Sequence, residues 1–134
     1  MTPIPPDVAA TIVAAGHSLS ADPVASGDVA WLWGSGVSIA PRWDVTVGAA
    51  LAMYGVVRAS ATRLTPRAAL LAALESLARK RLGRATEHRE SALRRRDPQR
   101  RADDEALART EEHHASDVRT LAAQVAAMWP EAAP

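Results

Sequence analysis

The sequence predicts a mainly α-helical chain, and three observations point there. Two long segments, residues 65–96 and 97–129, set leucine, valine and alanine at spacings of three and four among charged residues. A single Asp97–Pro98 pair separates them. Strand-like alternation is confined to the first 60 residues. The expected order is a short N-terminal helix, a small Trp-rich β-hairpin or irregular segment, a further helix, and a C-terminal antiparallel hairpin of long helices. Residues 1–60 then form a compact tryptophan- and glycine-containing segment and residues 61–134 the helical hairpin, together one structural domain.

The first element is "PPDVAATIVAAG". Its prolines suit a helix start, Val8, Ile12 and Val13 form one apolar face, and Gly16 can end the helix. "HSLSADPVASGD" follows as a loop. "VAWLWGSGVSIAP" predicts a β-hairpin about Gly34-Ser35-Gly36. "WDVTVGAALAMYGVVRA" fits two periods: Trp43, Val45, Val47, Ala49 and Leu51 alternate as in a strand, whereas Val45, Ala49, Ala52, Met53 and Val56 follow helical spacing. Its length and alanine content favour a helix. Thr65 then caps a long helix opened by Pro66, with Leu70, Leu71, Leu74, Leu77 and Leu82 as its stripe. Beyond Gly83 the stripe thins to Ala85, Ala92 and Leu93. Pro98 disfavours helical geometry at Asp97, and the same pair starts the second long helix, which ends before Pro130. An antiparallel hairpin turning near residue 98 is the simplest result.

Composition narrows the functional classes. The chain has 134 residues, no cysteine, no phenylalanine and a net charge of +1. Disulfide and thiolate chemistry are thereby excluded. The start lacks a signal-peptide pattern, and the uncharged run at residues 45–57 spans 13 positions, against the roughly 20 that cross a bilayer. A soluble cytoplasmic protein, or a part of an assembled particle, is expected. Charge is uneven: residues 1–57 sum to −3 and the remainder to +4.

Residues 79–101 hold ten basic groups against Glu87, Glu90 and Asp97. Such a run suits phosphate contact, with Arg94, Arg95, Arg96, Arg100 and Arg101 projecting at the hairpin tip. However, residues 103–117 hold six acids against Arg109 alone. Folding the hairpin sets the acidic helix beside the basic one, so mutual neutralisation is the stronger expectation. A helix-turn-helix from residues 45–60 and 65–82 is weak, because Leu70, Leu71 and Leu74 are too apolar for an open groove.

"ALARTEEHHASDVRTLAAQVAAM", residues 106–128, poses the sharpest chemical question. Spacings of four and three select Leu107, Glu111, His114, Val118, Leu121, Val125 and Met128, which places Glu111 and His114 on an otherwise apolar face. The E-x-x-H pair resembles the motif of ferritin-like di-iron carboxylate proteins, which need two such motifs and two further glutamates. Only one is present here, so that resemblance implies a symmetric dimer. Glu75 falls opposite residues near 120, away from Glu111, and His88 is the nearest further ligand. A structural role is the simpler expectation: Glu111 and His114 both reach solvent near the charged end of the hairpin, and Arg81 or Arg84 opposite gives Glu111 a salt-bridge partner. No metal or other cofactor is expected.

"WGSGVS" is neither a dinucleotide fingerprint nor a P-loop, and no G-x-S-x-G elbow occurs. Ser35 has no histidine or acid close by in sequence. No enzyme is therefore predicted. The alanine-rich seam buries little area for a lone hairpin, which predicts an assembly or adaptor protein acting by self-association or by docking to a larger complex, a virion being compatible. Its contact residues would be Trp31, Trp33, Trp43, Leu70, Leu74, Leu77, Val118, Leu121, Val125, Met128 and Trp129. The alternatives are a nucleic-acid-binding regulator and a metal-binding helical bundle.

Overall fold

The computed structural model describes residues 4–24, 42–51 and 55–131. The chain runs through α1 (Pro6–Ala14), β1 (His17–Pro23), β2 (Trp43–Leu51), β3 (Gly55–Arg63), α2 (Pro66–Arg94) and α3 (Pro98–Met128). It is mainly helical: a short N-terminal helix and a three-stranded antiparallel sheet precede two long packed helices.

Local signals set both ends of the helical hairpin. The Thr65 hydroxyl accepts the Ala68 amide at 3.1 Å, and Pro66 begins α2. The Asp97 carboxylate accepts the Gln99 amide at 3.0 Å, and Pro98 begins α3. Each cap satisfies a backbone donor that helix geometry leaves unpaired. Helices of 29 and 31 residues extend about 45 Å at 1.5 Å per residue. Gly16 terminates α1 with φ +87, and its amide donates to the Val13 carbonyl at 3.0 Å. Val8 and Ile12 are buried as expected, but Val13 is 62% exposed.

The sheet replaces two expected elements. The expected loop "HSLSADP" is β1, and the helix favoured across residues 43–60 is the β2–β3 hairpin. Trp43 pairs with Arg63 at one end and Leu51 with Gly55 at the other. The strand period prevails because Val45 and Val47 are fully buried on one side with Thr46 between them on the other. β-Branched valine and threonine suit that pleated surface. In β1 the same alternation turns Leu19 and Ala21 inward and Ser18 and Ser20 outward. Its backbone partners lie in β2, from His17–Ala49 to Pro23–Trp43. The expected hairpin at residues 29–41 lies outside the described residues.

α2 packs across β2 and β3, and α1 packs on β1. Leu70, Leu74, Leu77, Val118, Leu121 and Val125 lie in the chain's own core with Val8, Ile12, Val45 and Val47. Trp43, Met128 and Trp129 are partly buried against it. The sheet thus covers the leucine stripe that a bare hairpin would leave open. The outward face of the sheet is polar, with Ser20, Thr46 and Ser60 aligned across the three strands.

Candidate functional site

The hairpin seam changes character along its length. Near the sheet it is leucine and valine. Towards the turn the buried residues are Arg81, Ala85 and Ala92 from α2, facing Asp104, Ala108, Glu111 and Ala115 from α3. The expected seam holds at Glu111, Val118, Leu121 and Val125, but towards the turn Ala108 and Ala115 face inward in place of Leu107, which is 41% exposed, and His114, which is exposed. Alanine occupies these positions because it lets the helix backbones approach closely.

Glu111 occupies that seam but is not the solvated residue expected from the sequence. It is only 7% exposed. Arg81 Nη1 donates to its carboxylate at 3.1 and 3.3 Å, and Arg84 Nε approaches at 3.5 Å. The pairing partners are those expected, and burial makes the pair structurally demanding. His114 is exposed. Among the described residues, no three histidine, aspartate or glutamate side chains are grouped to hold a metal ion.

Further ion pairs join the two helices, in both directions. Arg119 Nη2 pairs with Glu75 at 3.1 Å, Arg95 Nε with Asp104 at 3.0 Å, and Arg89 with Glu112. Hydrogen bonding from Arg119 lowers the Glu75 pKa, and from Arg95 that of Asp104. The basic and acidic runs thus neutralise one another along much of the hairpin. At the tip, Arg100 lies 3.9 Å from Asp97, and Arg101 donates to the Arg95 carbonyl at 2.9 Å. Arg94 and Arg96 are exposed and pair with no acid among the described residues.

A second polar site lies where the α1–β1 turn meets the hairpin. Gly16, His17, Arg81, His114 and Asp117 line a cleft of about 260 Å³. Burial, then the charges of Arg81 and His114, lower the pKa of His17. Asp117 lies 3.5 Å from His113 Nε2. The sequence offered little indication of this cleft. Hairpin register places Arg81 near Glu111, but the arrival of His17 depends on how α1 and β1 dock.

Trp31, Trp33 and Ser35 lie outside the described residues. No helix among the described residues is long and apolar enough to cross a membrane. No protein-family model, curated protein or solved structure matches this chain.

Proposed function

We propose that this chain is a non-catalytic assembly or adaptor protein, with the distal half of its helical hairpin as the contact arm. The supporting observation is the end of the hydrophobic core at Ala78 and Ala115. Beyond Arg81, α2 continues for 13 residues to Arg94, roughly 20 Å at 1.5 Å per residue. Over that span the helices are joined by alanines and ion pairs, and Leu93 on the arm is 85% exposed. Leu93 and Leu107 are the arm's exposed large apolar side chains. They offer anchors within a charged surface, either for another copy of this chain or for a larger complex.

Light scattering across a concentration series, with the full chain and a Leu93→Arg, Leu107→Arg variant, tests this reading. The expected result is a mass above the 14.2 kDa monomer that reverts in the variant, or a defined partner complex that the variant no longer forms. Monomer mass throughout, with partner binding unchanged by the substitutions, overturns it.

The exposed, acid-free Arg94 and Arg96 favour nucleic-acid contact as a second reading. It predicts affinity that falls steeply with salt and drops in an Arg94→Gln, Arg96→Gln variant. Salt-independent binding, or binding indifferent to those substitutions, rejects contact through the tip.

A further inference from the structure

We propose that the cleft between the α1–β1 turn and the hairpin binds a small organic oxyanion, through its phosphate or carboxylate group. Two side-chain polar atoms among the described residues are buried without a hydrogen-bond partner, Arg81 Nε and His17 Nδ1. Both residues line this same cleft. Orphaned buried polar atoms are uncommon because desolvation is costly without a replacement bond. Their convergence on one opening marks a place where a ligand supplies what the protein does not.

Arg81 specifies the ligand's chemistry. The residue is only 3% exposed, and its Nη1 already serves Glu111. Nε–H can only donate, so its missing partner is an acceptor. At Arg81 two guanidiniums, its own and that of Arg84, share the single carboxylate of Glu111, which favours an anionic acceptor at this point, while the carboxylate of Asp117 elsewhere on the cleft wall opposes it. Among the groups lining the cleft, His17 and His114 add protonatable nitrogens, and the carboxylate of Asp117 stands beside His113. Burial first, and then the charges of Arg81 and His114, lower the pKa of His17. A bound anion offsets those charges and favours the imidazolium, which donates from both ring nitrogens.

The cleft, about 260 Å³, leaves room beside the anionic group for a small organic body. Gly16, with no side chain, keeps one wall low. This site is separate from the arm and does not depend on the assembly reading.

Proton–nitrogen NMR of the full chain can follow Arg81 Nε–H and the His17 and His114 rings. Titrations with inorganic phosphate and with malonate, at constant ionic strength against chloride, distinguish the two anionic groups. The expected result is a saturable shift of Arg81 Nε–H and a higher His17 pKa with at least one probe. His17→Gln weakens that affinity about tenfold, equivalent to about 1.4 kcal/mol. Arg81→Lys keeps a charge for Glu111 while removing the Nε donor, and weakens it similarly. Should Arg81→Lys not fold, His17→Gln decides. No saturable shift with either probe, an equal response to chloride, or full affinity in His17→Gln overturns the proposal and leaves a hydrated cleft only.

Discussion

Arg81 Nη1 lies 3.1 Å from Glu111 Oε2, and both side chains are almost fully buried between helices that otherwise meet through alanine near this point. The pair closes the hairpin just where the leucine core ends. Arg81 also lines the cleft beside the α1–β1 turn.

Removing one member of this pair should be severely destabilising. Glu111→Gln leaves two arginines facing a neutral amide, and loss of about 3 kcal/mol is expected from an unpaired buried charge. Replacing both members, as Arg81→Met with Glu111→Leu, should recover most of that stability because neither charge is then buried alone. Denaturant midpoints at unchanged slope measure both effects. A single variant as stable as wild type would show that water enters the seam.

Acid should loosen the hairpin through Glu75. Its pKa is lowered chiefly by hydrogen bonding from Arg119, then aided by Arg79. A depressed carboxylate pKa contributes stability above its unfolded value, near 4, and that contribution fades as pH falls through the lower folded value. Glu75 is 41% exposed, so the effect is at most about 1 kcal/mol after solvent screening. Unfolding midpoints between pH 2 and 6 should slope less steeply in Glu75→Gln. Equal slopes in the two proteins would remove Glu75 from the acid response.

The hairpin could be inferred because its signals are local. Thr65–Pro66 and Asp97–Pro98 act within a few residues, and the turn alone aligns Glu75 with Arg119 and Arg81 with Glu111. The sheet depends on distant partners: the polar residues 17–23 become a strand only beside β2, while residues 43–57 fit either period in isolation. The α3 seam departs from the sequence reading at two positions, Leu107 and His114, which helical spacing alone selects. Close helix contact instead selected Ala108 and Ala115. The cleft was less accessible still, being assembled from the α1–β1 turn, β1, α2 and α3.

A second pH response should come from His17. Burial, then Arg81 and His114, lower its pKa, while the Ala15 backbone acts weakly in the opposite sense. Arg84, Glu111 and Asp117 complete the charged surroundings from the two long helices. The folded state therefore prefers neutral His17. Its contribution is present above about pH 6.5 and declines as pH falls from there through the lowered folded value. Stability measured from pH 5 to 7.5 should decline towards acid, and His17→Gln should flatten that decline. A decline of the same size in the variant would assign it to another group.

Two glycines should give opposite results for the same substitution. Gly16 has φ +87, a left-handed conformation in which a β-carbon is unfavourable, although nothing lies within 4 Å of an added Cβ. Gly16→Ala should therefore cost about 1 kcal/mol through backbone strain alone. Gly83 is exposed within α2 and likewise has nothing within 4 Å of an added Cβ. Here the right-handed helix accommodates alanine, which has fewer unfolded conformations to lose, so Gly83→Ala should stabilise by about 0.5–1 kcal/mol. Denaturation midpoints at constant slope test the sign of each change. A neutral Gly16→Ala would place that residue outside the left-handed region, and a destabilising Gly83→Ala would place a contact over the arm where none is present here.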